Sequence, residues 1–327
     1  MATHFDTIST RLPAHAGAQS DDGRRNLFLG VASGLLVVVC WAGWVVATRF
    51  AVTTHLRPID IAFLRYLIAS ALLAPVLFRH GLGLRQIGCG RIMMLVGGAG
   101  APFLLISSTG MKFAPASDVG AVMIGTMPVF VAVFSALVSR ERFDTMRVIG
   151  FATVLAGIVG IAADRLFDFG SGAWHGHVLF LVAAAMFAIY TVTFRRSEMS
   201  PWQAAAIVNF YSLLILVPVY FLFFGTDLLS ATPTEVITQS IMQGVVSAIV
   251  AFFFFGEAVR RLGASRAAVL GSFTPVFAAL LGMPLLGEFP TRLTWVAIIV
   301  VSVGVVLASG GLSRAAGGPA RQGCSEK

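Results

Sequence analysis

The chain has 327 residues, of which 57% are apolar and only 12% charged, and its net charge is +8. A soluble domain carries about 25% charged residues. A core of this size cannot hide so much apolar side chain, so the solvent is lipid and an ordinary soluble enzyme is excluded.

Residues 1–26 are polar, rich in Ser, Thr, His and Gly, and end in Asp21-Asp22-Gly23-Arg24-Arg25; they read as a disordered cytoplasmic tail. Arg24-Arg25 before an apolar run faintly resembles a twin-arginine signal. The run behind it is long and lacks a small-residue cleavage site, which suits a retained helix. Apolar stretches then recur at 27–48, 59–78, 92–110, 119–139, 146–163, 177–194, 202–224, 236–256, 266–286 and 293–310. At about 20 residues per span they predict an all-α integral membrane protein of ten transmembrane helices. The third run is interrupted by Gly97, Gly98, Gly100 and Pro102. Residues 311–327 form a second tail.

Lysine and arginine positions set the orientation. With a cytoplasmic N-terminus, the inside segments hold 17 of them and the outside loops 5, with Arg65 inside a helix. Both termini are therefore expected in the cytoplasm. The same asymmetry accounts for the basic charge without nucleic acid. Cys40, Cys89 and Cys324 lie far apart and form neither a disulfide framework nor a metal site. His175 and His177 make an H-x-H in an outer loop, too little for a metal, and all six histidines fall in tails or loops. No cofactor motif is present.

A shift of 147 residues overlays Thr126-Met-Pro-Val-Phe on Phe273-Thr-Pro-Val-Phe, so Pro128 matches Pro275. Glu141 then matches Glu288, Val154 matches Val301 and Gly157 matches Gly304. A shift of 146 overlays Trp41-Ala42-Gly43-Trp44 on Phe187-Ala188-Ile189-Tyr190, and Arg49 on Arg195. The unit is five helices, 27–163 and 177–310. An odd number inverts the second copy, a device of secondary transporters that work by alternating access.

These tokens carry a resemblance to the drug/metabolite transporter superfamily, in its EamA branch: Trp41, Pro58 and Arg65, "TMPVFVAVFSALVSRER", and "TPVFAALLGMPLLGE" with Gly304. Ser139-Arg140-Glu141 departs from that branch's usual Leu-Gly-Glu. The resemblance implies transport of small metabolites across the inner membrane, with amino acids a common substrate and export a common direction. A lipid flippase or scramblase, or a transporter of a non-amino-acid metabolite, on the same fold is the alternative.

Arg65 is the sharpest candidate, six residues into its apolar run and about 9 Å deep. A charge there suits a wet cavity and an anionic substrate group, against the competing interpretation of a side chain snorkelling to the interface. Pro128 and Pro275 are expected mid-helix, where each frees a carbonyl that only protein or a cavity tolerates. Trp41, Trp44, Tyr190 and Tyr211 offer stacking surface, while Asn209, Gln243, Ser247, Ser272 and Thr274 offer hydrogen bonds. Together they predict a site for a small organic solute, the carboxylate and aromatic chemistry favouring amino acids with aromatic or hydrophobic side chains. Ala152, Ala156 and Gly160 predict a close-packing stripe on the fifth helix. Glu257 is the best candidate for a coupling acid, against a plain ion pair with Arg260 or Arg261. No Ser–His pair, H-E-x-x-H or paired aspartates fall in the helices, so no catalytic residue is expected. The expected partners are a small-molecule substrate and the lipid bilayer, and a homodimer is compatible with the chain.

Overall fold

In lipid a backbone has no water to bond, so each apolar run must satisfy its own amides, and a helix does this within one segment. The computed structural model describes residues 16–139, 144–166, 172–225, 228, 230–262 and 264–308, and these form helices joined by short turns. In chain order the helices are α1 (Ala16–Thr53), α2 (Pro58–His80), α3 (Leu84–Ala99 continued by Ala101–Phe113) and α4 (Ala116–Val138). They continue as α5 (Thr145–Leu166), α6 (Ala173–Arg195), α7 (Pro201–Phe224) and α8 (Pro233–Leu262). The last are α9 (Ala264–Gly271, then Thr274–Leu286) and α10 (Arg292–Ala308). Among the described residues, eight stretches are long and apolar enough to cross a membrane: those of α1 to α4 and α6 to α9. The apolar helices Thr145–Ile161 and Arg292–Ala308, in α5 and α10, are shorter.

Three features depart from expectation. The helix of α1 starts at Ala16, inside the segment read as a tail, while residues 1–15 and the 311–327 tail lie outside the described residues. Pro275 is not in mid-helix: α9 breaks at Ser272–Phe273, and Pro275 sits in the first turn of its second piece, where a missing N–H costs nothing. Pro128 does lie within a helix, Gly125–Ser139, but the preceding turn, Val119–Ile124, is a wide π-helical segment. The backbone is thus irregular just before both prolines.

Helix ends sort onto two faces. Arg49, Asp60, Ala116, Asp118, His177, Tyr220 and Glu288 bond one another at one face, termed distal. At the opposite, proximal face Arg261 reaches Asn26, Gln203 reaches Gln86, and Arg147 reaches Ala308 O.

The most extensive helix pair is α5 with α10. Glycines bring the two backbones together because they carry no Cβ of their own at the closest points. A β-carbon on Gly304 would lie 2.7 Å from the Val154 amide nitrogen, and one on Gly157 would lie 2.6 Å from Val301 Cγ2. Val154 and Val301 are repeat mates, as are Gly157 and Gly304, so each half offers its glycine to the other's valine. The packed stripe is Gly150, Val154, Gly157 and Ile161, whereas Ala152 and Ala156 are exposed. The expected alanine stripe is therefore corrected: three-and-four spacing of small residues does not say which face meets a neighbour, and the glycines allow the closer approach.

Candidate functional site

Arg65 is the eighth residue of α2, about 10 Å along it by helical rise. Its Nη1 donates to Ser247 Oγ at 2.5 Å, and Ser247 Oγ donates to Gln243 O at 2.9 Å. A guanidinium has five N–H groups, and among the described residues no carboxylate pairs with this one. The approach of α2 to α8 depends on Gly244, where a β-carbon would lie 2.6 Å from Ile68 Cβ. Any side chain at 244 would push Arg65 away from Ser247. Both Gln243 and Ser247 lie on Ser240–Val250, a π-helical stretch of α8. The wide turn changes the azimuth of these side chains relative to an α-helix, and such segments recur at functional sites.

From Gln243 the polar strip continues into α1. Trp44 Nε1 donates to Gln243 Oε1 at 2.9 Å, and Gln243 Nε2 donates to Thr48 Oγ1 at 2.9 Å and Gln239 Oε1 at 3.2 Å. Gln239 Nε2 in turn donates to Ala47 O at 2.8 Å. These amide and indole groups are satisfied by one another, so they fix the site's wall. Trp41, one turn before Trp44, lies 5.7 Å centroid to centroid from Phe255 and beside Gly271 at the α9 break.

The remaining candidates divide. Asn209 is buried on α7; its Nδ2 donates to Ala205 O at 2.8 Å, and its Oδ1 has no partner. Tyr190 packs with Phe187 and Phe194 against Gly98, in the seam of α6 and α3, apart from Arg65. Tyr211 donates to Leu82 O at 3.2 Å and pins the α2–α3 turn. Ser272 donates to Val269 O at 2.7 Å and Thr274 to Gly271 O at 2.8 Å, so both hydroxyls serve the α9 break itself. Pro275 meets α4 at Gly120, where a β-carbon would lie 2.5 Å from Pro275 Cα. The structure thus brings Arg65, Ser247, Gln243 and Trp44 into one bonded strip, with Trp41 one turn along α1. It gives Tyr190, Tyr211, Ser272 and Thr274 other work.

The distal face holds what the sequence pattern did not foresee. His177 is not in a loop; it is a buried residue of α6, and its Nε2 lies 2.8 Å from Oδ2 of the fully buried Asp118. Ser117 Oγ donates to the other Asp118 oxygen at 3.0 Å. Close by, Arg49 Nε donates to Glu288 Oε1 at 2.7 Å and its Nη1 donates to Met111 O, while Glu288 Oε2 accepts from Ala116 N at 2.8 Å. Asp60 accepts from Arg57 Nε at 3.1 Å and from Tyr220 OH at 2.7 Å. Among the described residues no cluster of three metal-ligating side chains occurs. His175 Nδ1 turns instead to Gly172 O, and its ring stacks on Trp174. Glu257 pairs with Arg260 at 2.7 Å and Arg261 at 2.9 Å, the plain ion pair. Both histidines lie in α6, not in a loop; only long-range pairing separates the buried His177 from the exposed His175, and two residues of sequence spacing do not encode it.

The EamA-like transporter family matches this chain twice, over residues 28–163 and 174–310. An uncharacterized transporter of Archaeoglobus fulgidus is 25% identical over 272 residues, covering 83% of this chain and 95% of its own. The uncharacterized transporter YetK of Bacillus subtilis is 26% identical over 236 residues, 69% of this chain and 70% of its own. The uncharacterized inner membrane transporter YedA of Escherichia coli is 23% identical over 279 residues, 82% of this chain and 87% of its own. A crystal structure at 20% identity superposes with a TM-score of 0.60 over 88% of this chain and 99% of that one, a likeness of fold alone.

Proposed function

The chain belongs to the EamA-like transporter family, a multi-pass membrane transporter rather than an enzyme, and from that premise we propose that it moves amino acids by alternating access. In this reading the ten helices all cross the cell's inner membrane as two inverted five-helix repeats. Both termini are cytoplasmic and the distal face is outside, following the 17-to-5 distribution of basic residues. The substrate carboxylate lies on Arg65, against the wall of Ser247, Gln243 and Trp44. The aromatic faces of Trp41 and Trp44 favour aromatic or hydrophobic side chains, and export is the direction the family resemblance favours. The breaks before Pro128 and Pro275 are where the halves change shape.

One observation carries this reading. A guanidinium inside an apolar bundle, hydrogen-bonded to a hydroxyl and met by no described carboxylate, suits an anion that arrives and leaves. Counterflow in proteoliposomes with labelled amino acids tests it directly. A carboxylate-bearing amino acid is expected to exchange in the native protein and not in Arg65→Ala. Undiminished exchange in that variant would return Arg65 to the role of interfacial anchor, and exchange of lipid but of no amino acid would transfer the site to a flippase.

A further inference from the structure

Three buried side-chain polar atoms among the described residues have no hydrogen-bond partner: Tyr66 OH, Ser70 Oγ and Asn209 Oδ1. Such atoms are costly in a protein interior and still more so in lipid, where no water can serve them. All three lie on α2 and α7, which pack against each other. Tyr66 is 1% exposed and Asn209 6%.

The register of this antiparallel pair is fixed above and below. Toward the proximal face Leu73 packs with Ala205 and Ala206, and toward the distal face Tyr220 OH bonds Asp60. Between these ties Ser70 falls opposite Asn209, and Tyr66 opposite Ser212. The Tyr66 hydroxyl lies near both the Arg65 guanidinium and the Ser212 hydroxyl without completing a hydrogen bond to either. The unfilled oxygens therefore begin beside Arg65 and extend one turn along α2, about 5.4 Å of rise.

We infer that Tyr66, Ser70 and Asn209 form the ammonium subsite of the same transport site, so that the preferred substrate is a zwitterion whose two charges sit on neighbouring groups. The inference rests on the Arg65 reading above and adds the second half of the recognition. Asn209 Oδ1 is an acceptor, and the Nδ2 donation to Ala205 O fixes which way the amide points. An acceptor with no donor calls for a ligand N–H, and the two hydroxyls can turn their lone pairs the same way. Neutral oxygens also suit a carrier. A carboxylate at this depth would hold the ammonium as a buried ion pair, whereas amide and hydroxyl oxygens hold it weakly enough to release it. One small molecule carrying carboxylate and ammonium on one carbon spans the turn, with a hydrogen bond at each end.

Competition against labelled phenylalanine counterflow tests this in the reconstituted full-length chain. The probes are unlabelled phenylalanine, hydrocinnamate, which lacks the ammonium, and phenethylamine, which lacks the carboxylate. The native protein is expected to favour phenylalanine over hydrocinnamate by about tenfold to a hundredfold, the range of a charged hydrogen bond. Asn209→Ala should bring that ratio to within about threefold, and Tyr66→Phe should lower it less. Asn209→Asp, which keeps the shape and adds a charge, should raise competition by phenethylamine about tenfold while leaving hydrocinnamate no better. A variant that folds poorly is read by ligand-induced Tm shifts of purified protein with the same three probes. An unchanged phenylalanine-to-hydrocinnamate ratio in both Asn209 variants overturns the subsite. If Arg65→Ala changes nothing while Asn209→Ala still erases the ratio, the carboxylate reading fails and the ammonium contact stands. Absence of phenylalanine exchange and of any Tm shift in the native chain removes both.

Discussion

The distal face and the middle of the bundle treat charge in opposite ways. At the distal face each described carboxylate meets a cation or a histidine: Asp60 with Arg57, Asp118 with His177, Glu235 with His55 and Glu288 with Arg49. In the middle, Arg65 meets a hydroxyl, and the Tyr66 and Asn209 oxygens complete no hydrogen bond. The first region spends its polar groups on tying helices to one another. Glu288 alone joins the end of α9 to α1 and to the start of α4. The second withholds them. Removing a distal group should therefore be felt in stability, and removing a central one in transport.

The largest effect that could break this division is on exchange itself. Arg65→Ala should bring amino-acid counterflow to the empty-liposome background while leaving Tm within a few degrees, because no ion pair is lost. A large fall in Tm would make Arg65 a structural group. Next in size is Gly304→Leu at the α5–α10 seam, where a side chain meets the Val154 backbone. A cost of about 3 kcal/mol or more is expected there, the upper range of overpacking, read as loss of the folded peak in size-exclusion chromatography. Glu288→Gln should cost about 1–3 kcal/mol, discounted from a fully buried pair because both side chains keep some solvent exposure. Thermal denaturation checks it, and the Arg49→Met, Glu288→Met double variant should recover part of the loss. The smallest effect sharpens the boundary of the site. Tyr211→Phe removes one exposed hydrogen bond to Leu82 O, should cost under about 1 kcal/mol, and should leave the transport half-saturation unchanged.

Much of the scaffold could be read from the sequence because lipid enforces it. The apolar runs appear as helices, Gly100 does break α3, and the repeat-matched residues meet crosswise, Val154 with Gly304 and Gly157 with Val301. Arg65 stood out as a lone charge in an apolar run, and Gln243, Ser247 and Trp44 do join it. The remainder depended on packing that one-dimensional patterns omit. Nothing in the sequence singles out Tyr66, and only its position against α7 reveals an unfilled hydroxyl. Ser272 and Thr274 looked like lining, yet the α9 break takes their hydroxyls, and Ser302 of α10 bonds Ser272 O there. Pro275 was expected inside a helix because nothing local announces that break. His177 was assigned to a loop because its partner lies 59 residues away.

The exchanged glycines of α5 and α10 have a mechanical consequence. Where two backbones approach through reciprocal glycine–valine contacts, each valine is keyed into the gap that a glycine leaves, so the seam resists shear along its length. It can act as an axle. In the alternating-access cycle proposed above, the two repeats would swing about it, with the travel taken up away from the axle, at the broken turn of α9 and the widened turn of α4. Cross-linking α5 to α10 should therefore leave turnover intact, whereas a rigid bridge across Gly120 and Pro275 should stall it.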